Sequence, residues 1–204
     1  LETTDVHGNY LPYNFITGED GTGSMARIYS YVKQLRQQQG TDHVVLLDNG
    51  DILQGQPIAY YYNYMDTKSP HLCASVLNYM KYDAATVGNH DVETGHAVYD
   101  RWVKQCKFPM LGANVIVTQT DQPYWKPYTI IERQGVKIAV LGMITPGIPM
   151  WLPENLWAGL RFDDLLAVAR KYMPEMRSKA DVVVGLFHSG VGKDKGTPVA
   201  AEDA

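Results

Sequence analysis

Apolar runs of strand length alternate with segments of helical periodicity along the chain. HVVLLDNGD (43–51), AATVGNHD (84–91), VKIAVLGMI (136–144) and DVVVGLFHSG (181–190) read as buried strands, three of them running into polar, glycine-containing turns. The opening LETTDVHGN reads as one more short strand entering a loop. YTIIERQGVKIAVLG (128–142) predicts a hairpin turning at Gln134 and Gly135. Helical spacing predicts helices over 24–39, closed by Gly40, and over 57–65, opened by Pro57, with others over 94–106 and 162–179. Pro174 lies inside the last and predicts a kink or a break. Residues 151–162 read as an irregular loop. Strands alternating with helices predict a layered α/β fold, and the hairpin argues against a purely parallel sheet. No repeat or domain boundary interrupts the pattern, so residues 1–204 read as a single domain.

The strand ends carry the candidate chemistry. Asp5 and His7 follow the first strand, Asp51 the second, Asn89 and His90 the third, and His188 the last. Open α/β sheets form ligand sites at the carboxyl ends of their strands, so these donors are delivered toward one edge. In an extended Asp-x-His the two side chains point to the same side, so Asp5 and His7 can bind one cation together. Glycines at 8, 50, 55, 88 and 190 allow sharp turns and close approach to a ligand. A set of carboxylate, imidazole and amide donors suits Mn, Fe or Zn better than Ca. Asp51 has two oxygens and can bridge two ions, which at about 3.5–4 Å apart clamp a phosphoryl group for in-line displacement. Taken singly, an Asp-x-His is commonly a solvated loop and a lone histidine after an apolar strand a core residue. Their conjunction at successive strand ends carries the reading.

Composition narrows the choice. The 204 residues are 45% hydrophobic and 20% charged, enough to bury a core. A net charge of -4 argues against a broad basic face for nucleic-acid polymers and leaves room for a pocket that takes one phosphate. No apolar run is long enough to span a bilayer, and no signal-peptide pattern opens the chain, which begins without Met and is expected to have lost natural residues ahead of Leu1. Cys73 and Cys106 read as two free packed thiols, with one disulfide as the alternative in an exported protein. The Tyr60–Tyr64 run reads as a helix packed by alternate tyrosines, and otherwise as an aromatic shelf for a base. Trp151 and Trp157 read as loop anchors or as borders of the site, and Lys193 and Lys195 as a solvated loop or a phosphate lure.

TTDVHGN, LLDNGDILQGQP, VGNHDVETG and LFHSG resemble the successive blocks of the calcineurin-like metallophosphoesterases, within them the 5′-nucleotidase and 2′,3′-cyclic-nucleotide 2′-phosphodiesterase/3′-nucleotidase branch. FPMLGANV, KPYTI, ITPGIPMWLPENL and RKYMPEMRSKADVVV resemble connecting segments of the cyclic phosphodiesterase group, so the resemblance covers essentially the whole chain. It implies an α/β/β/α sandwich with mixed sheets and a site for two divalent ions, drawn from Mn, Zn, Fe or Mg. By the motif match Asp5 and His7 would hold one ion, Asp51 would bridge both, and Asn89 and His188 would hold the second. His90 would act on the leaving oxygen, as general acid or by charge, paired with Glu93 where many relatives carry Asp, while metal-activated water attacks. Asp91 is left as a helix cap before Val92.

The resemblance implies a nucleotide or other small phosphoester as substrate. A 2′,3′-cyclic-nucleotide 2′-phosphodiesterase/3′-nucleotidase comes first. A 5′-nucleotidase or UDP-sugar hydrolase and a non-catalytic domain that keeps the fold are the alternatives. A degenerate scaffold is expected to have lost some of the donors, and none is lost in this span. The resemblance also implies a periplasmic or extracellular location. The family has a further Gly-His-x-His block that supplies a ligand to each ion, and the nucleotidase branch a C-terminal nucleotide-binding domain. Neither is in this chain. It therefore reads as a fragment, incomplete at its C-terminus, that binds metal poorly and turns over feebly or not at all by itself.

Overall fold

Two sheets face each other across an apolar seam, and helices cover their outer faces. In the computed structural model, which describes residues 1–190, the first sheet has the order β1 (Glu2–Thr3), β2 (Leu47–Asp48), β3 (Ala84–Thr86) and β4 (Met110–Leu111), all parallel. Parallel neighbours need long crossovers. These contain α1 (Met25–Gln39), α2 (Leu72–Met80) and α3 (His96–Gln105). In the second sheet β5 (Tyr128–Arg133) and β6 (Val136–Ile144) form the expected hairpin, and β7 (Val182–His188) joins the other side of β6 in parallel. α4 (Leu165–Lys179) leads into β7.

Neighbouring residues of one strand serve different layers. Leu47, Ala84 and Leu111 of the first sheet meet Ile131, Val140 and Leu186 of the second. One position away, Leu46, Ala85 and Met110 join Val32, Leu77 and Trp102 of the helices. Ala139, Leu141 and Met143 of β6 pack on Val168 and Met176 of α4. Alternation with both faces buried is why these strands read as unbroken apolar runs. The result is the α/β/β/α sandwich that the resemblance implies.

Several segments differ from the sequence expectation. Periodicity does not predict α2. Its sequence LCASVLNYM is apolar on most sides, and Cys73, Ala74, Leu77 and Met80 are all buried, so no wide polar face marks it. The expected helix over 57–65 is α-helical only for Pro57–Tyr60 and continues as a π turn over Tyr61–Met65. α4 runs unbroken through Pro174. Pro174 and Arg170 are both exposed, so water can reach the carbonyl that loses its N–H partner. Residues 151–162 are not irregular throughout, since Glu154–Leu156 form a 3₁₀ turn and Leu160–Phe162 pair antiparallel with Val115–Val117. Trp157 anchors this segment, its Nε1 donating to the Leu152 carbonyl at 3.1 Å and its ring edge-on to Phe162. Cys73 and Cys106 are both unpaired. Lys193 and Lys195 lie outside the described residues.

A buried polar pair underlies the strand ends. Thr3 and Asp48 are register partners in β1 and β2. Thr3 Oγ1 donates to Asp48 Oδ2 at 2.5 Å and lies 2.8 Å from Tyr82 Oη. Asp48 Oδ1 accepts from Gly50 N at 3.1 Å, which shapes the turn into Asp51. Burial pushes the Asp48 carboxyl up to about 7, against the lowering effect of its Thr3 and Gly50 bonds.

Two outcomes are expected. A value raised in the folded state means that the fold binds this proton more tightly than the unfolded chain does. The Asp48 contribution to stability is therefore whole at low pH and falls as pH rises between about 3.9 and about 7. Asp48→Asn should flatten the slope of unfolding free energy against pH in that window, as read from urea denaturation at successive pH values. Separately, a Cβ on Gly142 would overlap Leu111 Cβ across the seam. Gly142→Val should cost about 1–3 kcal/mol in the same denaturation measurement, through forced separation of the sheets.

Candidate active site

The carboxyl ends of β1, β2 and β3 and of β7 converge on one cleft. A cavity of about 270 Å³ there is lined by Asp5, His7, Asp51, Asn89, His90 and His188, with flanking loop residues. The metal-binding residues expected from the sequence and His90 are therefore brought together. Neither Trp151 nor Trp157 lines the cleft.

The route by which Asp5 and His7 meet is not the expected one. Asp5, His7 and Asp51 all have left-handed backbone, with φ of 53°, 49° and 59°. The Asp-x-His segment is thus a turn and not an extended strand, and the turn brings His7 Nε2 to 3.8 Å from Asp5 Oδ1. Such a conformation costs about 1–3 kcal/mol for a residue with a side chain and persists only where its surroundings over-determine it. Here Asp5 N donates to the Gly50 carbonyl at 3.0 Å, His7 N to the Asp51 carbonyl at 2.9 Å, and Gln56 N to the His7 carbonyl at 3.0 Å. Gly88 is required by close approach, because a Cβ there would occupy the place of the Asp51 carboxylate.

Asp51 is held at both oxygens. His90 N donates to Oδ1 at 2.8 Å, and Oδ2 lies 3.2 Å from His188 Nε2. His188 Nδ1 donates to the Asn49 carbonyl at 2.7 Å, and its Nε2 lies 3.0 Å from Asn89 Oδ1. A proton fixed on Nδ1 leaves Nε2 as the atom presented to the cleft. Burial opposes charge on His188, but the neighbouring Asp51 carboxylate outweighs it, and the imidazole is raised to about 9. Burial likewise acts to raise Asp51, yet its bond to His188 and the charges of His188 and His90 bring its carboxyl below the usual value. Donor atoms of Asp5, Asp51 and His188 all lie within 4.8 Å of one another. The cleft therefore favours positive charge. A proton on His188 answers that demand, and a divalent cation would answer it by displacing the proton. The carboxylate, imidazole and amide donors fit Mn, Fe or Zn.

Asn89–Val92 form one helical turn after Gly88. His90 Nδ1 meets Glu93 Oε2 at 2.6 Å, so the longer acidic side chain reaches the imidazole. The other nitrogen is left to the cleft, and the ring stands edge-on to His7 with centroids 5.4 Å apart.

Asp91 is not the N-cap that its position suggests. Gly88 holds that place. The Asp91 carboxylate is fully buried and accepts from Gly88 N at 2.9 Å, Asp51 N at 2.8 Å, Ile52 N at 2.9 Å and Leu53 N at 2.8 Å. One side chain thus joins the loop after β2 to the loop after β3. Burial and the Asp51 charge push Asp91 up to about 6, opposed by these N–H bonds. Sequence reasoning missed this role, and also that of Asn49, whose carbonyl sets the His188 tautomer. No local signal marks either, since His188 and three of the four Asp91 partners lie far along the chain.

Asp91→Asn places an amide NH₂ among backbone N–H donors. It should destabilise the fold by about 3 kcal/mol, read by denaturation, and weaken Mn²⁺ binding read by calorimetry, because Asp51 loses its support.

The profile of the calcineurin-like phosphoesterase family matches residues 1–202. The chain is 36% identical over 205 residues to the 2′,3′-cyclic-nucleotide 2′-phosphodiesterase/3′-nucleotidase of Haemophilus influenzae, covering 93% of this chain and 31% of that protein. It is 28% identical over 192 residues to the 5′-nucleotidase of Vibrio cholerae, covering 93% and 33%. The crystal structure of the calcineurin-like phosphoesterase YfkN from Bacillus subtilis matches with a TM-score of 0.85 and 30% identity, over 98% of this chain and 64% of that one. The chain spans about a third of the length of these two curated relatives.

Proposed function

The chain belongs to the calcineurin-like phosphoesterase family, and from that premise we propose that it is the catalytic domain of a metal-dependent nucleotide phosphoesterase. The observation that carries this reading is the His90–Glu93 pair at 2.6 Å, set against the Asp51–His188 pair in one cleft. Asp5 and His7 would hold one divalent ion, Asp51 would bridge, and Asn89 and His188 would hold the second. When bound, such ions supply Lewis acidity toward phosphoryl oxygens and lower the pKa of water. The chain's own residues do the rest. Asn49 orients His188, and the His90 backbone N–H orients Asp51. Glu93 holds Nδ1 of His90, so that Nε2 can protonate the departing oxygen or stabilise its charge.

The greater likeness to the Haemophilus influenzae protein favours 2′,3′-cyclic nucleotides and 3′-nucleotides as substrates. A 5′-nucleotidase is the second reading, on the likeness to the Vibrio cholerae protein. Joint presence of Asp5, His7, Asp51, Asn89, His188 and His90 argues against a non-catalytic scaffold. We place residues 1–204 in one domain of a longer, exported protein, in which the remaining metal ligands and a nucleotide-binding domain lie outside this span. Among the described residues, no helix is long and apolar enough to cross a membrane.

The full-length protein loaded with Mn²⁺ should hydrolyse 2′,3′-cyclic AMP and 3′-AMP. His90→Ala should lower kcat about 10²–10⁴-fold while Mn²⁺ affinity stays. Near-normal turnover by His90→Ala would remove the role given to that residue, and turnover of 5′-AMP alone would move the substrate to the second reading.

A further inference from the structure

The His7 backbone rests on a segment that Asp91 does not reach. Along the loop after β2, the bonds to Asp91 end at Leu53 N. Beyond it Gly55 packs against His7, where a Cβ would overlap the His7 carbonyl, and Gln56 N donates to that carbonyl at 3.0 Å. Gly55 has φ of 121°, and a glycine backbone holds such a conformation only where its neighbours fix it. The side chain that anchors this stretch is Asn63, whose Nδ2 donates to the Leu53 carbonyl at 2.7 Å. Leu53 is thus pinned on both sides, at N by Asp91 and at its carbonyl by Asn63.

Asn63 points inward because of its local backbone. The chain passes from α-helix at Tyr60 to a π turn over Tyr61–Met65, a rare arrangement that frequently accompanies functional sites. The turn leaves Tyr60, Tyr61 and Tyr64 exposed and buries Asn63. The Asn63 amide is oriented by His71, which is buried just ahead of α2. Cys73 N donates to His71 Nδ1 at 3.3 Å, so the ring proton is on Nε2. Nε2 donates to Asn63 Oδ1 at 3.0 Å, which turns the Asn63 NH₂ toward Leu53. Burial, with the Arg101 charge adding to it, pushes His71 down to about 4, so the ring stays neutral and keeps this tautomer. α3 braces both ends. Gln105 Oε1 accepts from His71 N at 2.6 Å, and Arg101 donates to the Tyr62 carbonyl.

We propose that Asn63, oriented by His71, is a positioning residue for His7, acting through the Leu53–Gln56 segment. The inference rests on the phosphoesterase reading above in one respect, that His7 holds an ion. His7 has left-handed backbone, which persists only while its surroundings over-determine it. Without the Asn63 donor, the carbonyl of the fully buried Leu53 is left unpaired. The segment then shifts to find a partner for it, and the His7 backbone, bonded to Gln56 and packed on Gly55, moves with it. Asp51 is spared, because Asp91 accepts directly from its N–H at 2.8 Å. The loss therefore falls on the ion that Asp5 and His7 would hold and not on the one assigned to Asn89 and His188.

The test uses the full-length protein and Mn²⁺ binding followed by calorimetry. Asn63→Leu keeps the size of the side chain and removes its donor. It should weaken one Mn²⁺ site about tenfold or more and leave the other unchanged. The weakened site should be the one lost in His7→Ala, so Asn63→Leu should add nothing in the His7→Ala background. His71→Leu should weaken the same site, and His71→Gln, whose NH₂ can donate from the place of Nε2, should keep it. Equal losses at both sites, or no loss, overturn the proposal, because a role in overall stability alone would not choose between the ions. A second measurement needs no metal. In the metal-free protein, Asn63→Leu should speed exchange of the Gln56 amide proton about tenfold or more relative to the amides of β6. If the wild type binds no Mn²⁺, the metal-dependent reading falls. The positioning of His7 then stands if Gln56 exchange accelerates in this way, and falls if it only keeps pace with β6.

Discussion

The Asp91 carboxylate is the group on which the rest of the cleft depends. A buried carboxylate is destabilising unless hydrogen bonds replace the water it has lost. Backbone N–H groups of Gly88, Asp51, Ile52 and Leu53 do so here, and the same bonds fix two loops at once. With the loop after β2 held, Asp51 keeps its left-handed backbone and its carbonyl accepts from His7 N. With the turn after β3 held, His90 N reaches Asp51 Oδ1. The constraint thus passes from Asp91 through Asp51 to His7, and from there to the exposed Asp5.

Strand length explains why side chains must do this. β1, β2 and β4 have two residues each and β3 has three, so ladder bonds stop before the functional loops begin. Beyond that point the loops are ordered by polar side chains and by backbone bonds between loops. Asn49 performs the same service between the sheets. Its carbonyl accepts from His188 Nδ1, and its Nδ2 donates to the Phe187 carbonyl at 3.3 Å. The end of β7 is thereby fixed against the loop after β2, where His188 can face Asp51. The apolar seam brings the sheets together, and Asn49 sets the alignment at the cleft.

What could be read from the sequence had a local signal. The alternation of apolar runs and helical spacing gave the layers, and Gln134 and Gly135, with φ of 50° and 80°, make the expected hairpin turn. The donors gather because parallel strands deliver their ends to one edge. What could not be read depends on contacts distant in sequence or on an unusual backbone. Asp91 meets residues 38 to 40 positions away, so its neighbours suggested only a cap. Asp5 and His7 converge through a left-handed turn that spacing alone cannot reveal. α2 lacks a wide polar face because both the sheet and α3 lie against it. Tyr60–Tyr64 suggested packing, and the π turn instead leaves Tyr60, Tyr61 and Tyr64 exposed.

Charge divides the space on the two sides of His90. On one side Asp5, Asp51 and the raised His188 mark a region that favours cations, and through them a bound anion. On the other, Glu93 borders a space with the exposed Tyr60 and Tyr64, and among the described residues no lysine or arginine lines it. Under the proposed function, the anionic phosphoryl group lies on the first of these two sides. His90 stands at the boundary with Nδ1 held by Glu93 and Nε2 open. A phosphoryl group on the second side would meet the Glu93 carboxylate, an unfavourable placement. The polarity of this wall therefore selects the side on which a phosphoryl group lies, and so the face from which its ester reaches His90.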